Sequence, residues 1–155
     1  MKKLSIIEAD LNSETHTDAI LSLTDSYARD PMGMNKPLKS EVKNRLIREM
    51  KKFNHSVCLL AIYDEKAVGL ANCFFGFSTF AGKKVINIHD LAVQPSLRNK
   101  GIGEALLAAV EKIARKYDCC KITLEVREDN RARDLYERSG FKYGDPKMYF
   151  MTRDL

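Results

Sequence analysis

The sequence predicts an α/β (α+β) fold: a central mixed, mostly antiparallel sheet flanked by helices, in the order β-α-α-β-β-β-α-β-α-β. Three observations predict it. An apolar run, Val85–Val93, is followed by a long segment with Ile102, Leu106, Val110, Ile113 and Tyr117 on one helical face, and then by strand-like Ile122–Val126. Strand, helix and strand at this length form a βαβ unit with parallel strands. Ahead of it, the strand-like runs Val57–Tyr63, Val68–Phe77 and Val85–Val93 are divided only by turns at Asp64-Glu65-Lys66 and Ser78–Lys84, which reads as a meander. Two helical patterns precede the meander.

The remaining elements follow from local signals. Leu4–Glu8 reads as a first strand. Asn12 or Ser13 caps a helix carrying Ile20, Leu23 and Tyr27. Two prolines and a glycine break the chain over Asp30–Pro37. Val42, Leu46, Met50 and Phe53 then recur at helical spacing. A short helix is expected over Arg131–Arg138, ended by Gly140. Met148, Phe150 and Thr152 alternate with Tyr149, Met151 and Arg153, as in a final edge strand.

Length and composition bound the function. At 155 residues, 45% hydrophobic and 30% charged, the chain reads as one domain spanning 1–155 with a real core. No apolar run approaches the ~20 residues that cross a bilayer. Met1-Lys2-Lys3 is followed too soon by Glu8 and Asp10 for a signal peptide. A cytoplasmic protein without a membrane partner is the expectation. Cys58, Cys73, Cys119 and Cys120 form no C-x-x-C pair, which argues for reduced thiols and against a metal site; adjacent Cys119 and Cys120, if on a strand, face opposite ways. The net charge of +5 divides as +1 over residues 1–66 and +4 over 67–155. That suits an anionic ligand for the second half. Basic runs interleaved with stacking aromatics are absent, which argues against nucleic acid.

The basic turn Arg98-Asn99-Lys100-Gly101-Ile102-Gly103 lies between predicted strand and predicted helix. Backbone N–H groups converge there at the positive end of a helix dipole, an arrangement that binds phosphate. Arg98 and Lys100 add charge, and Gly101 and Gly103 allow close approach of a ligand. The spacing matches neither the P-loop nor the dinucleotide fingerprint. An ordinary βα turn, with glycines for geometry alone, is the alternative.

This Arg-x-x-Gly-x-Gly turn resembles the pyrophosphate-binding turn of the GNAT superfamily, the acetyl-CoA-dependent N-acyltransferases. Leu135-Tyr136-Glu137-Arg138-Ser139-Gly140-Phe141 resembles the same family's L-Y-x-x-x-G-F segment. The element order matches too, so the resemblance covers nearly the whole chain. It implies acetyl-CoA as co-substrate and no metal. It implies that Tyr136 lies near the CoA sulfur as general acid; the alternative is a tyrosine packed on the sheet. The family places an asparagine seven positions before this tyrosine. Here that position is Asp129, and Asn130 is one residue closer. Asn130 either contacts CoA or caps the short helix. The resemblance further implies that the strand Val85–Val93 splays from its parallel neighbour. Leu91, Ala92 and Val93 would then pair with the pantetheine amides, and an N–H near Leu91 would face the thioester oxygen.

His89 and Asp90 interrupt that apolar strand. With Phe74-Phe75-x-Phe77-Ser78-Thr79-Phe80-x-Gly82, they resemble the same region of diamine (polyamine) acetyltransferases, where a glutamate usually stands at the His89 position. His89 is a candidate base, directly or through water. An amine of pKa ~10.4 is mostly protonated near pH 7, and holding it neutral costs about 4.6 kcal/mol. A core histidine is the competing reading. Asp90 reads as structural, or as a partner orienting a donor; His16 and His55 read as surface. The acceptor site is expected between the first two helices and the central strands. Pro31–Pro37 is its lid, Met32 and Met34 its apolar wall, and Asp25 and Asp30 attract an ammonium group or are merely solvated.

The expectation is therefore an N-acetyltransferase moving acetyl from acetyl-CoA to a small-molecule or protein amine by direct attack in a ternary complex. A non-catalytic CoA-binding regulatory module is the alternative. A homodimer is left open.

Overall fold

The computed structural model describes residues 3–155. Its elements are β1 (Leu4–Glu8), α1 (Glu14–Arg29), α2 (Ser40–Lys52), β2 (Ser56–Tyr63), β3 (Lys66–Ser78), β4 (Lys83–Val93), α3 (Ile102–Lys116), β5 (Ile122–Leu124) and α4 (Ala132–Arg138). The strands lie in one sheet in chain order. β1 to β4 are antiparallel, and β5 joins β4 in parallel.

β2 reads Val57-Cys58-Leu59-Leu60-Ala61 without alternation because both its faces are covered. On one face Leu59, Ala71, Ile86 and Ile88 pack with Ile102, Leu106 and Val110 of α3. On the other, Cys58, Leu60, Leu70 and Ala92 pack with Ile20 and Leu23 of α1. Each fully buried aliphatic side chain contributes roughly 1.5–3 kcal/mol.

The helices begin and end where capping chemistry allows. Ser13 Oγ accepts from His16 N at 3.4 Å to open α1, and Asp30-Pro31 closes it. Gly101 adopts φ 76°, a left-handed turn that only glycine enters freely, and its carbonyl accepts the first α3 bond from Ala105 N at 3.0 Å. Asn130 Oδ1 accepts from Ala132 N at 2.9 Å at the start of α4. Gly140, at φ 89°, lets Phe141 N donate back to Tyr136 O at 3.0 Å.

Four expectations are corrected. The final strand does not form: residues 141–155 have no regular secondary structure. Its pattern is apolar in both phases, and Met148, Tyr149, Phe150 and Met151 are all exposed, so neither face has a core to select it. β5 stops at Leu124 rather than Val126. Cys119 and Cys120 precede β5 instead of lying on it, although Cys119 still faces the core and Cys120 solvent. Tyr117 is exposed past the end of α3, its ring 5.0 Å from that of Phe75.

Strand β4 contains one irregularity that matters. Asn72 pairs with Asp90, but Cys73 pairs with Ile88, so His89 is an extra residue in the ladder. Such a bulge shifts the side-chain alternation by one. Ile86 and Ile88 face α3, whereas after the bulge Leu91 and Val93 face α3 and Ala92 faces α1.

Candidate active site

The turn after β4 leaves the first N–H groups of α3 open. Pro95–Leu97 forms a single 3-10 turn, and Asn99 and Gly101 both take positive φ to redirect the chain into α3. The N–H groups of Ile102, Gly103 and Glu104, the first of α3, donate to no carbonyl among the described residues. A Cβ on Gly101 would meet nothing within 4 Å, so the space above the turn is open.

Two predicted members of this turn do something else. Arg98 does not reach outward: its Nη2 donates to Asp30 Oδ2 at 2.5 Å and its Nε to Val93 O at 3.2 Å. It clasps the turn to the end of α1. Gly103 is small for packing: a Cβ there would sit 3.0 Å from Leu135 Cδ2 of α4, not in the open space above the turn. Lys100 is exposed, with no ion pair among the described residues.

Beside the turn the sheet opens. β5 pairs with β4 only from Ile86 to Ile88. From Leu91 to Val93 the edge of β4 that faces away from β3 has no neighbouring strand among the described residues. Apart from the Val93 carbonyl, which accepts from Arg98 Nε, the N–H and C=O groups on that edge can pair with an extended amide-bearing ligand.

Tyr136, on α4, is buried, with its ring edge-on to Phe141 at 5.9 Å. Its hydroxyl has no hydrogen bond within the described residues and is not sealed from solvent. Burial, helped by the nearby Tyr27, pushes its pKa up to about 12. Its hydroxyl therefore stays protonated near neutral pH. Tyr27, half-buried on α1, is also raised, by burial first and then by the Asp90 and Asp30 charges. Tyr27 faces Ala92 and Val93 of β4 across a small cleft.

His89 is exposed and edge-on to Phe74 at 5.6 Å, so it is not a core histidine. Phe74 lies two residues beyond Asn72 on β3, and the bulge puts His89 and Asp90 together on the α1 side. Asn130 is committed through Oδ1 to capping α4. The expected ammonium attractors, Asp25 and Asp30, are neither free nor solvated. Asp25 binds Lys43, Arg29 and Leu38 N; Asp30 binds Arg98 and Met32 N. Both are spent on holding the loop 30–39. Met32 is half-buried there and Met34 exposed. Phe77 and Phe80 sit at the exposed end of the β3–β4 hairpin, away from the turn. His16 Nδ1 accepts from Asp10 N at 3.0 Å, and His55 is exposed.

Sequence reasoning missed Asn72. It is buried, its Nδ2 donates to Asp90 Oδ2 at 3.0 Å, and its Oδ1 is buried without a partner. The signal was present: one amide side chain inside the apolar run Leu70-Ala71-Asn72-Cys73. Burial first, with the Asp90 charge adding to it, holds the flanking Cys58 and Cys73 thiols up at about 12, so neither is a nucleophile.

A sheet edge left open beside an unsatisfied helix start can hold an extended, phosphate-bearing ligand. The comparisons with known proteins specify the family. Residues 20–141 match the model of the acetyltransferase (GNAT) family. The uncharacterized N-acetyltransferase YhfO of Bacillus subtilis (strain 168) is 31% identical over 116 residues, 74% of this chain and 72% of that protein. The crystal structure of a probable acetyltransferase superposes with a TM-score of 0.84 at 21% identity, covering 97% of this chain and 98% of the other. An aminoglycoside N-acetyltransferase in complex with CoA gives 0.77 at 16% identity, covering 99% and 97%. The chain belongs to the GNAT family and is an N-acetyltransferase. Enzymes of this family use acetyl-CoA. No helix among the described residues is long and apolar enough to cross a membrane.

Proposed function

We propose that this enzyme transfers acetyl from acetyl-CoA to a primary amine by direct attack within a ternary complex. The observation that carries the reading is the continuity of three features: the free N–H groups of Ile102 to Glu104, the unpaired edge of Leu91–Val93, and the Tyr136 hydroxyl. The pyrophosphate rests on the turn, through backbone more than through Arg98. The pantetheine amides pair with Leu91, Ala92 and Val93. Asn99, Lys100, Gly101 and Gly103 shape the turn, and Asn130 orders the start of α4 beside it.

The amine enters from the α1 side, where Tyr27, His89 and Asp90 lie. His89, or water held by it, takes one proton from the amine. The nitrogen lone pair then forms the N–C bond at the thioester carbonyl, and an N–H of the Leu91 region stabilises the oxygen. As the C–S bond breaks, Tyr136 gives its proton to the thiolate. The second proton leaves the new amide nitrogen through water and returns the Tyr136 phenolate, whose pKa is about 12, to the phenol. The resemblance of the Phe74–Asp90 region to diamine acetyltransferases favours small aliphatic amines as acceptors.

The test is free-thiol release from acetyl-CoA against a panel of aliphatic amines, amino acids, aminoglycosides and peptide N-termini, run beside calorimetry with CoA. Transfer to at least one amine, abolished by omitting acetyl-CoA, is expected. CoA binding without transfer to any amine would support the regulatory-module reading instead.

A further inference from the structure

We infer that Asp90 and Asn72 form the seat of the acceptor's ammonium group, and that the seat is shaped for a primary ammonium. This rests on the transferase reading above. Asp90 is partly buried, takes one hydrogen bond from Asn72, and makes no ion pair among the described residues. The two arginines whose charges reach neighbouring Tyr27 are engaged elsewhere, Arg98 with Asp30 and Arg127 with Asp129. A carboxylate withdrawn from water without a cation is costly, and the cost is recovered when a cation arrives. On the same amide, Asn72 Oδ1 is a sealed acceptor without a donor, and an unmade bond of that kind also costs free energy.

Two acceptors, one of them anionic, sit on a hydrogen-bonded pair of side chains, and beyond the Asn72 Nδ2 that joins the pair no donor among the described residues serves them. A primary ammonium supplies three N–H donors from a single atom. Two serve Asp90 and Asn72, and the third remains for proton transfer to the neighbouring His89. A headgroup as small as –NH3+ seated on Asp90 turns a donor toward Oδ1; an N-alkylated one does not. Asn72 is therefore a positioning residue, and Asp90 the one that selects charge.

The test uses the full chain, apo and CoA-loaded, titrated with n-butylamine hydrochloride, N,N-dimethylbutylamine hydrochloride and n-butanol. The readout is the Asn72 side-chain amide resonance, assigned by its loss in Asn72→Ser. n-Butylammonium is expected to shift that resonance, the tertiary ammonium to bind more weakly without shifting it, and butanol to do neither. Asp90→Asn should weaken n-butylammonium binding by about 10- to 100-fold, as when a charged hydrogen bond is lost, with an unchanged melting temperature and CoA affinity. No binding of n-butylammonium to the wild type, an unmoved Asn72 resonance on binding, or equal affinity in Asp90→Asn overturns the seat. Failure of CoA to bind the wild type overturns the transferase site instead and leaves the ammonium result standing.

Discussion

Arg98 and Asp30 join the turn before α3 to the end of α1 across 68 residues of chain, with the guanidinium also held by the Val93 carbonyl. The residue with the most obvious charge for a phosphate is thereby assigned to holding the turn in shape. The neighbouring Lys100 is left to act on the ligand. Arg98→Ala should lower stability by about 1 kcal/mol while changing CoA affinity little. Lys100→Ala should leave the melt unchanged and weaken CoA by about two- to fivefold, less so as salt is raised. Calorimetry at two ionic strengths, with thermal melts, checks both.

Gly101 and Gly103 are two residues apart and serve different ends. Gly101→Ala forces a side chain into a left-handed backbone and should cost about 1–2 kcal/mol. Gly103→Ala presses on Leu135 and so on α4, which carries Tyr136. Its loss of kcat should be relieved by adding Leu135→Ala, whereas Leu135→Ala should not relieve Gly101→Ala. A double-mutant cycle on kcat and Tm separates the two.

Tyr136→Phe keeps the ring packing and removes the proton donor. kcat should fall by roughly 100-fold with CoA affinity unchanged. Burial holds the hydroxyl protonated up to about pH 12, so the deficit should be the same at every pH the fold tolerates. A deficit within twofold of wild type would mean that the tyrosine only packs.

His89→Ala should reduce activity most below pH ~8, where few acceptor amines are neutral unaided. Raising the pH should restore much of the loss. Because the ring is exposed, the melting temperature should not move. A deficit that persists at every pH would assign the base to water or another group.

Burial opposes ionisation of Asp25, but the Lys43 ammonium, Leu38 N–H and Arg29 guanidinium outweigh it and hold its pKa at about 2, below the ordinary 3.8. A depressed carboxylate pKa stabilises the fold above the unfolded value, and that stability is lost as pH falls through the folded one. Wild type should therefore exceed Asp25→Asn in stability by about 1 kcal/mol near neutral pH. The gap should close between about pH 4 and about pH 2, measured by thermal melts across that range.

The fold was legible where a pattern had one reading. The helical face of α3, the meander, and the Ser13, Asn130 and Gly140 caps all rest on local chemistry. The end of the chain was not: apolar residues in both phases over 148–151 satisfy the look of a strand without choosing a face. In the site, Arg98, Gly101, Gly103 and Tyr136 were read from two motifs, and the left-handed backbone at Gly101 and the burial of Tyr136 are what the structure adds to them. Asp25 and Asp30 were read from residue type alone, and Arg98 and Gly103 without the contacts they make. Their partners lie far along the chain, at Asp30, Leu135, Lys43 and Arg98, and no local window contains them. Asn72 escaped because its meaning depends on Asp90, 18 residues away.

The supernumerary residue at His89 makes spacing in this strand a question of parity. Shorten β4 by one residue before Asp90, and every composition-based description of it stays almost the same. Without the extra residue the ladder would be regular: Asp90 would stay opposite Asn72 on the α1 side, and Leu91 would stay beneath α3. Such a variant would keep the turn before α3, Tyr136 and the Asp90 carboxylate in place while losing the side chain at His89. Along this strand, therefore, a single-codon deletion at the bulge removes one side chain without turning its neighbours over. Relatives are best compared by counting residues between the last buried isoleucine and the turn, before asking which residues they are.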